Sequence, residues 1–180
     1  IFVPLFLIIS LLIKITSRGP VFFIQERVGL NKRRFNLYKF RTMVPDAEKL
    51  IKQLEYLNEV DGPAFKIKND PRVTAFGRFL RKTSLDELPQ LINVIKGEMS
   101  IVGPRPNVPW EVDEYRPWHF ERLEILPGIT GLAQVSGRSG ISFDTIVRYD
   151  IKYIVSQSLM LDLKIIWQTI RSVALRKGAG

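Results

Sequence analysis

Residues 73–106 read VTAFGRFLRKTSLDELPQLINVIKGEMSIVGPRP. Apolar spacing predicts one helix over 73–82, a second over 88–95, a short strand at Ser100–Val102, and then a proline-bracketed loop. Between the helices stands Thr83-Ser84-Leu85-Asp86-Glu87-Leu88-Pro89. One reading of this segment is a helix start, with Ser84 and Glu87 at capping-box spacing and acids near the positive end of the helix dipole. Pro89 tells against it, because a fifth helical residue without an N–H breaks the ladder. The second reading places the two carboxylates on an irregular first turn, preceded by Arg78, Arg81 and Lys82. Such a group suits phosphoryl chemistry: one acid attacks phosphorus or holds Mg²⁺ while basic groups neutralise phosphate oxygens.

Working outward, VFFIQ (21–25) and FNLYKF (35–40) are β-rich and separated by Gly29 and Asn31, as in a hairpin. Pro45-Asp46 opens a segment whose apolar residues Ala47, Leu50, Ile51, Leu54 and Leu57 follow the helical period as far as Asp61-Gly62-Pro63. The stretch from Pro104 to Gly131 has no clear period. Helices are expected over 142–156 and 159–176. The fold class is therefore α+β, mainly helical with a short β-hairpin and few strands, which argues against a doubly wound sheet.

The chain opens on IFVPLFLIISLLI, uncharged through Ile13, with Lys14 and Arg18 following. Thirteen helical residues rise about 20 Å, short of the roughly 30 Å hydrocarbon layer. A plain core helix and a membrane-contacting element are both compatible with this run, and contact with the membrane is the favoured reading. The basic residues that follow would then put the next domain on the cytoplasmic side. The expected division is a partial hydrophobic anchor over 1–18 and a catalytic domain over 19–180.

The 180 residues carry 27 Lys and Arg, 18 Asp and Glu, a net charge of +9, 46% hydrophobic residues and no cysteine. Disorder, a disulfide scaffold and a thiolate metal site are excluded. Residues 14–41 alone sum to +7 and residues 64–82 to +5, so the excess is concentrated in two blocks. Such a field attracts a polyanion: nucleic acid, anionic lipid or a phosphorylated small molecule.

Further candidates are scattered along the chain. In Gly103-Pro104-Arg105-Pro106 two prolines restrict the backbone around one arginine, so its guanidinium forks onto a phosphate at little entropic cost, unless the loop is only a turn. Lys39 and Arg41 close the hairpin and read either as a solvated edge or as substrate contacts. Glycines 128, 131 and 137 permit close backbone approach to a ligand, with Arg138 beside them. Asp150 falls on a stripe with Ile146, Val147 and Ile154 that should be buried, and so needs Arg148, Arg105 or a metal as partner. Asp162 suits the start of the last helix. His119 is the sole histidine and assembles neither a zinc site nor a serine triad. Trp167 and Arg171 fit a core, an interface or a lipid surface.

These stretches together, GPVFFIQERVG (19–29), YKFRTM (38–43), DPRVTAFGRFLRKTSLDELPQLINVIKGEMSIVGPRP (70–106) and LPGITGLAQVSGR (126–138), resemble the bacterial sugar transferases, the monotopic polyprenyl-phosphate phosphoglycosyltransferases. The resemblance implies an N-terminal re-entrant membrane helix, present here only in its later part with Pro4 at the break. It implies that Asp86 is the nucleophile toward a UDP-sugar, that Glu87 binds Mg²⁺ together with Asp86, and that UMP leaves. Polyprenyl (undecaprenyl) phosphate then takes the sugar phosphate, the first step of exopolysaccharide or O-antigen assembly. Arg81 and Arg105 match basic positions of that family's site, and Asp150 or Asp162 a further acid; Pro104, Pro106, Lys39, Arg41, Arg138 and Asp150 complete the expected substrate-binding set. The expected partners are UDP-sugar, polyprenyl phosphate and membrane lipid at the cytoplasmic face of the inner membrane, with no nucleic acid and with room for a homodimer. Two other classes compete: a non-catalytic basic module on the membrane surface, and a nucleic-acid binder for which no recognition motif is present.

Overall fold

A computed structural model describes residues 2–47, 49–50, 52–57, 67, 69–137 and 141–175. The architecture is α+β and mainly helical. Seven helices occur among the described residues: α1 (Phe2–Thr16), α2 (Ala75–Lys82), α3 (Gln90–Ile95), α4 (Pro109–Asp113), α5 (Leu132–Ser136), α6 (Phe143–Ser156) and α7 (Leu159–Ala174). Among the same described residues four strands form two small sheets. The first pairs β1 (Phe22–Val28) with β2 (Arg34–Phe40), and the second pairs β3 (Ser100–Val102) with β4 (Gly128–Thr130).

Two compact units make up the chain. The first gathers Ile1–Phe23 with Lys39–Leu88, and the second Ile24–Tyr38 with Pro89–Gly178. In the first, α1 lays Ile9 and Ile13 against Phe40 and Leu80, with Phe6, Val21, Phe76, Leu85 and Leu88 around them. Its other face is also apolar and stays exposed at Val3, Leu7, Ile8, Leu11 and Ile15. Ser10 and Thr16 return their hydroxyls to the carbonyls of Phe6 and Leu12 at 2.6 and 2.7 Å, so they present no unsatisfied donor. Pro4 lies in the first described turn of α1. No helix of the described residues is long and apolar enough to cross a membrane.

Helix α2 begins where Thr74 caps the N–H of Gly77, at 2.9 Å. A side chain cannot replace the hydrogen of Gly77, because a Cβ there would stand 1.9 Å from the carbonyl oxygen of Thr42. The segment after Pro45 departs from the expected helix. Residues 45–47 form a turn, and 3₁₀ geometry runs over Lys52–Leu57. The expected end at Asp61-Gly62-Pro63 lies outside the described residues.

In the second unit the β1–β2 turn closes with the Gly29 N–H on the Arg33 carbonyl at 2.8 Å. The side chain of Asn93, fully buried, acts as a strand segment beside β2: its amide donates to the Asn36 carbonyl at 2.7 Å and accepts the Tyr38 N–H at 3.2 Å. Strands β3 and β4 run parallel, Ser100 beside Gly128 and Val102 beside Thr130. The stretch without clear period resolves into α4, a 3₁₀ run over Pro117–Leu123, and β4. Helices α6 and α7 fall where they were expected, and Tyr153 and Ile165 pack with Val102 in a buried cluster.

Candidate functional site

Asp86 and Glu87 do not begin a helix. Ser84 takes left-handed backbone angles, φ 55 and ψ 17, and its hydroxyl caps nothing; Leu85–Glu87 form one 3₁₀ turn, and α3 starts only after Pro89. The capping-box reading is thereby corrected, for a residue at positive φ cannot aim its side chain at the N–H three residues on from the extended geometry a cap requires. Leu85 and Leu88 on either side of the acids pack into the α1–α2 core. The turn is thus anchored by its apolar residues, and its two carboxylates are displayed on one short, irregular loop.

The electrostatics around Asp86 are asymmetric. Burial pushes its carboxyl up to about 6, against the pull of Lys39; Glu87 adds to the rise and Arg81 opposes it. Lys39 Nζ donates to Glu87 Oε1 at 2.8 Å, and both side chains are largely covered, 15% and 21% exposed. Arg81, in the last turn of α2, donates from Nε to Thr42 Oγ1 at 2.9 Å. Burial lowers the Arg81 guanidinium, while Asp86 and Asp70 hold it charged. Asp70 is itself fixed by Arg72, whose Nη2 and Nε reach its two oxygens at 2.6 and 2.9 Å. The sequence therefore brings Asp86, Glu87, Arg81 and Lys39 together in one unit. Arg41 has a different setting: buried, it donates from both terminal nitrogens to the carbonyls of Ser17 and Arg18 and ties down the chain leaving α1.

Two adjacent carboxylates are hard oxygen donors of the kind Mg²⁺ accepts alongside phosphate oxygens and water. Among the described residues no three His, Cys, Asp or Glu side chains cluster as a metal site. The pair fits a cation shared with a phosphorylated substrate. Such a cation would contend with Lys39 for Glu87 Oε1.

In the second unit the loop 103–107 is pinned through its main chain. The Gly103 N–H meets the Thr130 carbonyl and the Pro104 carbonyl takes the Gly128 N–H, both at 2.8 Å. Arg27 Nη1 donates to the Pro106 carbonyl and Arg122 Nη2 to that of Arg105, both at 3.0 Å. Pro104 and Pro106 are buried and Arg105 is exposed. Glycines 128 and 131 admit a backbone, but that backbone belongs to the protein: a Cβ at either would strike Gly103, within 2.2 Å.

Asp150 is buried as expected, and its partner is Arg122, neither Arg148 nor Arg105. Arg122 Nη2 stands 2.7 Å from Asp150 Oδ2, with both side chains 2% exposed. Burial pushes Asp150 up to about 6 against the pull of Arg122. Arg122 also donates to Asn107 Oδ1 and, at 2.8 Å, to Tyr115 Oη. Sequence reasoning missed Arg122 because it falls in the stretch without period. Asp162, in the first turn of α7, accepts from Tyr153 Oη at 2.7 Å. His119 is buried beside Asp144, Nε2 to Oδ1 3.1 Å. Arg138 lies outside the described residues.

Residues 1–176 match the model of the family described as Bacterial sugar transferase. The chain is 50% identical over 162 residues to the galactosyl transferase CpsE of Streptococcus agalactiae serotype III, covering 89% of this chain and 36% of that one. It is 44% identical over 183 residues to the exopolysaccharide production protein ExoY of Rhizobium meliloti, covering 99% and 81%. With the undecaprenyl-phosphate galactose phosphotransferase of Salmonella typhimurium it shares 46% over 179 residues, 96% of this chain and 37% of the relative. The chain thus spans little more than a third of two of these proteins and most of the third. A match this continuous, carried through the turn that displays Asp86 and Glu87, assigns the chain to the bacterial sugar transferase family.

Proposed function

We propose that this chain moves a sugar 1-phosphate from a UDP-sugar to polyprenyl phosphate, releasing UMP and forming a polyprenyl-diphosphate sugar. One observation carries the reading: a half-buried carboxyl, raised to about 6 yet ionised at neutral pH, sits beside Lys39 and Arg81 on a turn rooted in the same core as α1. The relatives named as undecaprenyl-phosphate galactose and glucose phosphotransferases support the acceptor class.

In the first step an Asp86 carboxylate oxygen attacks the β-phosphorus of the donor. An O–P bond forms, the bond from that phosphorus to the bridging oxygen breaks, and UMP departs with the electron pair. The sugar phosphate is left on Asp86 as an acyl phosphate. In the second step a phosphate oxygen of the polyprenyl acceptor attacks the same phosphorus, and the Asp86 carboxylate leaves unchanged. An anionic nucleophile and an anionic diphosphate repel by about 4 kcal/mol at 4 Å and an effective dielectric of about 20. Lys39 and Arg81 lower that barrier by placing positive charge beside the attacking oxygen. Mg²⁺ held by Asp86 and Glu87 would neutralise the diphosphate oxygens. From the family resemblance alone, Arg105 is proposed to bind a phosphate oxygen.

The acceptor is a lipid, so the chemistry belongs at a bilayer surface, on the cytoplasmic face. Helix α1 is apolar on both faces, one buried on the core and the other exposed, which suits burial in lipid on the outward side. The test is UMP release across a panel of UDP-sugars with and without polyprenyl phosphate. Asp86→Asn is expected to abolish both release and the covalent sugar-phosphate adduct. Full turnover by that variant would remove Asp86 from the reaction.

A further inference from the structure

We propose that Thr42 is a positioning residue for Arg81: its main-chain oxygen seats the start of α2, its hydroxyl holds the guanidinium at the end of α2, and together they fix where that charge stands. Thr42 follows β2 and is buried, 7% exposed. Its carbonyl accepts from the Thr74 N–H at 3.0 Å and from the Thr74 hydroxyl at 3.3 Å. Thr74 in turn caps α2 through the N–H of Gly77. Gly77 rides directly over the same carbonyl, close enough that no side chain fits between them. About one turn later Arg81 Nε donates to Thr42 Oγ1 at 2.9 Å.

Core packing of Phe76 and Leu80 holds the helix itself, but a long arginine on its last turn would still sample many rotamers. The hydroxyl removes that freedom. Arginine offers a directed Nε–H that lysine lacks, so the contact also accounts for a guanidinium at this position. The neighbouring main chain supports the arrangement: the Val44 N–H donates to the Arg72 carbonyl at 2.9 Å, and Met43 and Val73 form an antiparallel bridge. Thr42 thereby lies in a short paired segment that cannot shift independently of the start of α2. Thr42 touches no reacting atom in this scheme and acts through Arg81.

The inference rests on the reading of Asp86 as nucleophile, and the experiment separates the two. UMP release is measured on the full chain in lipid vesicles for Thr42→Val, Thr42→Ser, Arg81→Ala and the double variant Thr42→Val/Arg81→Ala, with thermal unfolding recorded for each. Thr42→Val is expected to lose about tenfold or more in kcat, the scale of one hydrogen bond to a charged group, with a smaller change in KM. Thr42→Ser, which keeps the hydroxyl, is expected to restore the rate to within about twofold. In the Arg81→Ala background the valine substitution should cost nothing more, because the partner it acts through is gone. Should Thr42→Val fail to fold, Thr42→Ala carries the same cycle. Wild-type turnover in Thr42→Val overturns the proposal, as do equal losses from the valine substitution with and without Arg81. If Asp86→Asn retains turnover, it is the functional reading that falls; if Asp86→Asn is dead and Thr42→Val is fully active, only the role of Thr42 does.

Discussion

A carboxyl raised to about 6 must lose its proton before it can attack phosphorus. UMP release is therefore expected to fall as pH drops through about 6, following the protonation of Asp86. Lys39 opposes the rise by favouring the ionised form, so Lys39→Met should displace the fall toward higher pH; initial rates between pH 5 and 8 give the displacement. The same burial has a consequence for stability. With a folded-state value above the ordinary 3.8, Asp86 contributes less to stability as pH rises from about 4 to about 6, and the deficit persists above that. In cation-free buffer at pH 8, Asp86→Asn is accordingly expected to be more stable by about 1–2 kcal/mol, read from chemical denaturation. A variant less stable than the parent would show that the carboxylate, and not its neutral isostere, is the form the fold accommodates.

At the scale of elements, α2 and the loop 103–107 are each held by contacts with backbone. Gly77→Ala would drive a methyl into the Thr42 carbonyl, so α2 must lift from its seat; a loss of about 1–3 kcal/mol and a large fall in turnover are expected from thermal unfolding and UMP release. In the second unit Arg122 joins Asp150, Asn107, Tyr115 and the Arg105 carbonyl. Removing either charge of the Arg122–Asp150 pair leaves the other buried alone. Asp150→Ala and Arg122→Met should each cost about 3–5 kcal/mol, and the double variant clearly less than their sum. Additive losses in denaturant titrations would show that the two side chains act independently.

At the scale of the whole molecule, the placement of charge and of apolar surface matters more than either total. Helix α1 leaves Val3, Leu7, Leu11 and Ile15 exposed while Ile9 and Ile13 enter the core that also holds Leu85 and Leu88. Lipid contact by α1 would thus set the height of the Asp86 turn above the bilayer. The paired substitutions Leu7→Glu and Leu11→Glu keep the core face intact and add two charges to the outer face. They are expected to weaken flotation with anionic vesicles by at least about tenfold, each buried apolar side chain being worth roughly 1.5–3 kcal/mol. Unchanged flotation would mean that other surfaces hold the protein to lipid. Among them is α7, where Met160, Leu163 and Trp167 are exposed beside Lys164 and Arg171.

Much of this organisation was legible from the residues alone. The hairpin, α2, α3, β3, α6 and α7 follow from spacing within a dozen residues, whereas Pro89 beside Asp86 and Glu87 left a capped helix and an irregular turn both open. The resemblance carried the family correctly. What spacing could not supply were the long-range partners. Lys39 meets Glu87 across 48 positions and Thr42 meets Arg81 across 39, while Asp150 chose Arg122 over nearer or more conspicuous arginines. Nor could glycine at 77, 128 or 131 reveal whether it makes room for a ligand or for the protein's own backbone. Local rules act through neighbouring dihedrals and are written in order along the chain. Which of several equal side chains becomes a partner depends on the packing that brings distant segments within 3 Å, and only the folded structure fixes that.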